Sequence, residues 1–206
     1  LNDSGIDLAN IDHRRLGVEF GANLMFFMPD GMSDPCRACE TAEGEFQFRE
    51  WGTTGLAKME PLWLLKYLPN MPACHIAIHA DAQGPSNSLT MDEVSGNVAI
   101  IEALSVLRRG AADAMIVGTT GTRIHPTKSI HAIQWDQVGY DPENPGLSCK
   151  PFDTNRGGQV VGEGAASLIL ENPEYAAARG AKIHGRILAG ASSSVTDSDG
   201  KPLLKQ

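Results

Sequence analysis

Several features that the 206-residue sequence lacks narrow its class. It has no run approaching the ~18 apolar residues that a membrane-crossing helix needs. It has no basic excess: 17 Lys and Arg stand against 25 Asp and Glu, a formal charge of -8. The only tight basic pairs are Arg14-Arg15 and Arg108-Arg109, so nucleic acid is excluded as the expected partner. Four cysteines without a signal-peptide pattern are too few for a disulfide frame and read as reduced thiols, which makes the cytoplasm the expected location. The phosphate-binding G-x-x-x-x-G-K is absent, and G-T-T-G-T from Gly118 to Thr122 lacks the lysine such a loop requires. No repeat or low-complexity stretch occurs. With 42% hydrophobic and 20% charged residues, what remains is a globular chain able to bury a core.

The elements that can be read alternate between strand and helix. Leu16 to Phe20 has Gly17 after its first residue and apolar residues around one acid, then Gly21, as a short buried strand does. Residues 23–56 form a loop-rich excursion with C-R-A-C at Cys36 to Cys39. Leu62, Leu65 and Leu68 fall on helical spacing before Pro69, and Met71 to Ala80 is a second helical candidate. From Ser86 a strand turns into a helix whose Val98, Ile100, Ile101, Leu104, Val106 and Leu107 cover nearly the whole circumference, predicting burial between layers. Asp92 and Glu93 stand at its positive end, Arg108 and Arg109 in its last turn, and Gly110 can take the left-handed cap. Ala114 to Val117 completes a strand-helix-strand unit. Val160-Val161 and Ala165 to Leu170 are strand-like. Asn172 caps a helix with Pro173 at its first position, and Ile183 to Ala189 alternate as a half-exposed strand. The polar segment 192–206 reads as a mobile tail. The fold class is α/β.

Candidate chemistry is sparse. C-R-A-C could be half of a zinc site or a redox pair, but no second Cys or His pair lies at a matching spacing. His75 and His79 are four apart on a predicted helix, yet the Glu of H-E-x-x-H is missing, so no metal is implied. The turn from Thr90 to Gly96 differs, because it presents side chains at a helix N-terminus, where a thiol would be acidified and nucleophilic. The sequence places Glu93 there, with Asp92 beside it. Taken by spacing alone, both are ordinary first-turn acids complementing the helix dipole.

N-M-P-A-C-H-I-A-I at 70–78, Gly84-Pro85, and the strand-turn-helix reaching Gly96 resemble the β-ketoacyl-acyl-carrier-protein synthases, whose pattern runs N-M-x-A-G-H-x-x-I, G-P, then S/T-x-A-C-A-x-G. P-F-D-T-N-R-G-G-Q-V-V-G-E-G-A-A-S-L-I-L-E at 151–171 is similar to the family's P-F-D-x-x-R-D-G-F-V-x-G-E-G-A-x-x-L-x-L-E, and R-G-A-K-I at 179–183 adds to it. The resemblance implies a thiolase-like layered α/β architecture, with residues 1–206 as a single partial domain covering roughly the N-terminal half of a ketosynthase. The opening L-N-D-S-G-I-D-L, with Leu rather than Met first, fits a piece of a longer chain. The implied chemistry is a decarboxylative Claisen condensation through an acyl-cysteine, assisted by two histidines and needing no cofactor.

Carrying the family cysteine over without a gap, with ten residues between Pro85 and Gly96, lands on Glu93. Cys74 cannot replace it, since it falls on the small residue before His75 in the preceding helix. The family's D-G-F has become Gly157-Gly158-Gln159, which puts an amide where an aromatic borders the acyl site and makes Gln159 a substrate-contact candidate. Neither family histidine motif occurs, and His125 and His131 correspond to neither. The resemblance therefore implies a non-condensing member of fatty-acid or polyketide assembly. Such a chain would pair with an active ketosynthase, as chain-length factors do, and meet acyl carrier protein through Arg108, Arg109, Lys182 and Arg186. The rival reading is an acyltransferase or decarboxylase using Glu93 as a base with histidines outside this chain. A third is a self-associating module, since the family dimerises through the strand at Ser86 to Thr90.

Overall fold

The computed structural model describes residues 1–196. Its strands are β1 (Leu16–Ala22), β2 (Ser86–Leu89), β3 (Ala114–Thr122) and β4 (Glu163–Glu171), and its α-helices are α1 (Ser33–Arg37), α2 (Met71–Ala80), α3 (Ser95–Arg108), α4 (Pro126–Trp135) and α5 (Pro173–Ala178). The strands form one sheet in the order β2-β1-β3-β4, and β1 and β2 run parallel with Val18 opposite Ser86 and Gly21 opposite Leu89. The chain divides into two compact units. The first takes Leu1–Gly21, Ala73–Thr119 and the stretch from Ser167 on, and the second takes Ala22–Pro72 and Thr120–Ala166.

The first unit is layered, and the period-two pattern of its strands shows why. Leu16, Val18 and Phe20 of β1, with Ala114 and Ile116 of β3, pack on Ala73 and Ala80 of α2 together with Ile6 and Ile11. The alternate β3 residues Met115 and Val117 turn to the opposite face and pack with Ala99, Ala103, Val106 and Leu107 of α3. Helices therefore cover both faces, the arrangement that parallel strands with helical crossovers require. Each fully buried Leu16- or Val18-sized side chain contributes about 1.5–3 kcal/mol. On α3, Ser95, Ala99, Ala103, Val106 and Leu107 form the buried face, while Val98, Ile100, Ile101 and Leu104 are half-buried, so burial is more one-sided than the sequence predicts.

Two charged clamps tie distant segments of this unit together. Arg15 holds Asp113 and also donates to the Gly110 carbonyl at 2.8 Å. Arg179, just past α5, donates Nε to Glu171 Oε2 at 2.8 Å and Nη2 to Glu171 Oε1 at 2.5 Å and to the Ser4 carbonyl at 2.9 Å. Gly110 takes the left-handed conformation expected of it, at φ 68°.

The second unit holds α1, α4 and a series of single turns, including Pro29–Met32, Phe48–Glu50 and Trp51–Gly55 within the excursion. Aromatic contacts organise it: Phe27 with Trp63, Trp63 with Tyr67, and Phe46 with Trp51, all with ring centroids 5.6–6.3 Å apart. Cys39 is buried beside Gly55, and Cys36 is half-buried, both as free thiols.

Four expectations need correction. Leu62, Leu65 and Leu68 do not share an α-helix. Leu62 sits at φ 62°, which breaks the run at its first leucine, and only the 3-10 turn Trp63–Lys66 forms, while Pro69 restricts Leu68 at the other end. Residues 183–189 are not a strand; they run without a ladder partner, with the Leu188 carbonyl accepting from Arg108 at 3.0 Å. Strand β4 starts at Glu163, past Val160-Val161. Asn172 holds the expected N-cap position of α5, its carbonyl accepting from Ala176 N at 2.9 Å, but its side chain makes no cap bond and donates instead to the Ala112 carbonyl at 3.1 Å. The last ten residues of the predicted tail, 197–206, lie outside the described residues.

Candidate functional site

The turn between β2 and α3 is built by backbone approach. Strand β2 enters along β1, where the Pro85 carbonyl accepts from Val18 N at 3.0 Å and the Leu16 carbonyl from Gly84 N at 2.9 Å. The chain does not pass straight into helix: Asp92 adopts φ 52°, and Asp92–Val94 make a 3-10 turn before α3 begins at Ser95. A non-glycine residue in the left-handed region costs about 1–3 kcal/mol and persists only where its surroundings fix it. Here the fixing group is Ser95, 1% exposed. Its hydroxyl accepts from Met91 N at 2.8 Å and donates to the Asp92 carbonyl at 2.6 Å, closing the turn from inside. Gly21 of β1 lets this knot approach the sheet, since a Cβ there would lie 2.6 Å from the Ser95 carbonyl carbon. Gly96 similarly meets Thr119, with 3.0 Å left between a Cβ and the threonine side chain.

Glu93 occupies the middle of this 3-10 turn and is exposed, as is Asp92. Neither the turn nor α3 carries a side-chain cap at its N-cap residue, and Ser95 supplies the two bonds that close the turn from inside. Nothing in the residue pattern marks Ser95 as central; the one available signal is a serine directly before Gly96 at a helix start. Cys74 lies half-buried on α2, a different element, and His75 and His79 are exposed there. Arg108 is exposed and bonded to the Leu188 carbonyl, Arg109 lies 4.0 Å from Glu102, and Lys182 and Arg186 are exposed.

In the second unit, Gln159 is exposed and held through its backbone, its N–H donating to the Gln137 carbonyl and its carbonyl accepting from Gly139, both at 2.9 Å. Gly158, at φ 131°, admits no side chain, because a Cβ would strike the Gln137 carbonyl. His125 stands before α4, where its Nδ1 accepts from Thr127 N at 3.2 Å and its Nε2 is buried without a hydrogen-bond partner. His131 packs edge-on against Phe26 and Trp135, with centroids 5.4 and 4.5 Å away. Among the described residues no three His, Cys, Asp or Glu side chains group as a metal site would require, and no helix is long and apolar enough to cross a membrane.

Residues 1–176 match the family model for the β-ketoacyl synthase N-terminal domain. The chain belongs to this family. It is 33% identical over 150 residues to 3-oxoacyl-[acyl-carrier-protein] synthase 2 of Mycobacterium bovis, covering 72% of this chain and 36% of that protein. It is 29% identical over 188 residues to the synthase of the same name from Staphylococcus aureus strain N315, covering 91% and 42%. Among solved structures, a β-ketoacyl synthase from Burkholderia phymatum superposes with a TM-score of 0.64 at 25% identity, over 85% of this chain and 39% of that one. A type II polyketide ketosynthase, in complex with its acyl-carrier protein, shares the fold at a TM-score of 0.60 and 20% identity, over 86% and 45%. The chain thus spans about two-fifths of the length of these relatives. Its four-stranded α/β sheet is that of the N-terminal half of a ketosynthase, a family of fatty-acid and polyketide biosynthesis.

Proposed function

We propose that this ketosynthase-family chain belongs to a non-condensing protein of fatty-acid or polyketide assembly, one that works beside an active ketosynthase and cannot itself carry the acyl intermediate. What supports this reading is the motif alignment, which sets Glu93 at the position of the family's cysteine, on a turn between β2 and α3 that Ser95 and Gly21 build. Forming the acyl-cysteine of the family's condensation requires a thiolate nucleophile, and a carboxylate beside the thioester would oppose the developing oxyanion. Cys74 on α2 belongs to a different element, and Cys149, though exposed, lies in the second unit.

The partners proposed with this function are acyl carrier protein and a homologous subunit, in the cytoplasm. Strand β2 lies at the margin of the sheet with Ser86 and Asn87 exposed, which supports strand-to-strand pairing with that subunit. The test is incubation with acyl-loaded carrier protein followed by intact-mass spectrometry. No acyl adduct is expected, and a stable adduct on any cysteine would overturn the proposal. Decarboxylation of malonyl carrier protein that is lost in Glu93→Gln would favour Glu93 as a base instead.

A further inference from the structure

The sheet face that α3 covers contains a carboxyl group with no evident means of being charged. Glu19 sits in the middle of β1, 2% exposed, between Gly17 and Gly21, and its Oε1 has no hydrogen-bond partner. Period-two geometry puts these three residues on one face. The two glycines show which face it is: Gly17 meets the Met115 side chain of the α3 cluster, and Gly21 meets the first residues of α3 itself.

Among the described residues, the elements packed there supply no cation. Strand β2 places the neutral Asn87 opposite Glu19. Strand β3 contributes Met115 and Val117, and β4 contributes Leu170, whose neighbour Glu171 is committed to Arg179. Helix α3 presents Glu102, a second acid; Arg109 lies 4.0 Å from that carboxylate, and Arg108 is directed to the Leu188 carbonyl.

We propose that Glu19 and Glu102 form a pH-sensitive lock between β1 and α3. With Glu19 protonated, α3 seats on the strand and holds the Ser95 turn; with Glu19 ionised, an unpaired buried anion faces a like charge and the start of α3 loosens. A buried carboxylate without a partner is among the costliest groups a fold can hold, so protonation or local opening must relieve it. Burial first, and Glu102 second, raise the Glu19 carboxyl from 4.5 to about 7. The direction of the effect follows. The unfolded chain releases this proton at the ordinary value while the folded chain keeps it, so stability declines as pH rises from 4.5 to about 7 and is level above that as far as this group is concerned. Because the lock concerns the order of the turn and not the chemistry of residue 93, it stands apart from the non-condensing assignment.

The test is amide hydrogen exchange of the 206-residue chain, corrected for intrinsic rates, at about pH 5 and about pH 8. Protection of amides from Met91 to Ala103 should fall about tenfold or more at the higher pH, and Glu19→Gln, which mimics the protonated acid, should show no such fall. Glu102→Gln, at a residue with a 42% exposed side chain, should fold and move the transition to lower pH, because burial of Glu19 is kept while the neighbouring negative charge that opposes its ionisation is removed. If Glu19→Gln does not fold, the wild-type profile and Glu102→Gln carry the test. Equal protection at both pH values, a pH-dependent loss retained in Glu19→Gln, or a transition unmoved by Glu102→Gln would overturn the proposal.

Discussion

The guanidinium of Arg15 grips the carboxylate of Asp113 with two parallel hydrogen bonds, Nε to Oδ2 at 3.0 Å and Nη2 to Oδ1 at 2.6 Å, across 98 residues of sequence. The pair joins the entry of β1 to the residue before β3, and both side chains remain about one-third exposed.

That geometry sets the first prediction. Arg15→Ala should destabilise the chain measurably, more than the loss of an ordinary exposed pair would, because the contact is bidentate. The hydrogen bonds from Arg15 hold the Asp113 carboxyl below its usual 3.8, against the opposing effect of burial. A carboxyl lowered in this way stabilises the fold above its ordinary value and stops doing so as pH falls through the folded one. Urea midpoints of wild type and variant should therefore differ by a constant amount near neutrality and converge only below pH 3.8.

Ser95→Ala should cost about 1–3 kcal/mol, because it strands the Met91 N–H and removes the bond to the Asp92 carbonyl in a buried site. Chemical denaturation measures the loss. A change below about 0.5 kcal/mol would show that the φ 52° turn is held by something else.

Gly21→Ala tests the close approach of sheet and turn. Its new methyl would fall 2.6 Å from Ser95 backbone, and the displacement of α3 should cost about 1–3 kcal/mol. Gly164→Ala, where a Cβ meets open space, serves as the comparison and should stay within about 0.5 kcal/mol.

Glu93→Gln should leave stability within about 0.5 kcal/mol of wild type, since the residue is exposed and the turn is held by Ser95. Glu93→Cys, placed in a parent chain that has both family histidines, should gain an acyl adduct detectable by intact mass. Failure to gain one would mean that the turn does not present residue 93 as the family's nucleophile is presented.

How much of this was legible in the sequence depended on whether the signal was local. Leu16 to Phe20, Met71 to Ala80, the helix ending at Gly110 and the helix opened by Pro173 all announce themselves through periodicity and end residues, and each forms. Helix α4 carries Pro126 at its start, but its buried side reduces to Ala132 while Ile130, Ile133 and Trp135 are exposed, so no apolar stripe marks it. The strand-turn-helix that carries Glu93 was readable from local pattern, whereas the grip of Ser95 and the need for Gly21 come from β1 and the start of α3 meeting across some seventy residues of sequence, which no window reports. Glu19 was visible as one acid in an apolar strand. Its significance depends on what faces it, and a sequence does not print that.

The two compact units are interleaved along the chain, which crosses between them at Gly21–Ala22, Pro72–Ala73, Thr119–Thr120 and Ala166–Ser167. During synthesis the second unit has all its residues once Ala166 has emerged, while the first must wait for the segment from Ser167 that brings Arg179 to Ser4. Closing so long a loop late is slow, and it leaves residues 1–5 made long before they are secured. No single cut separates the units, so a shortened gene product would forfeit part of at least one of them.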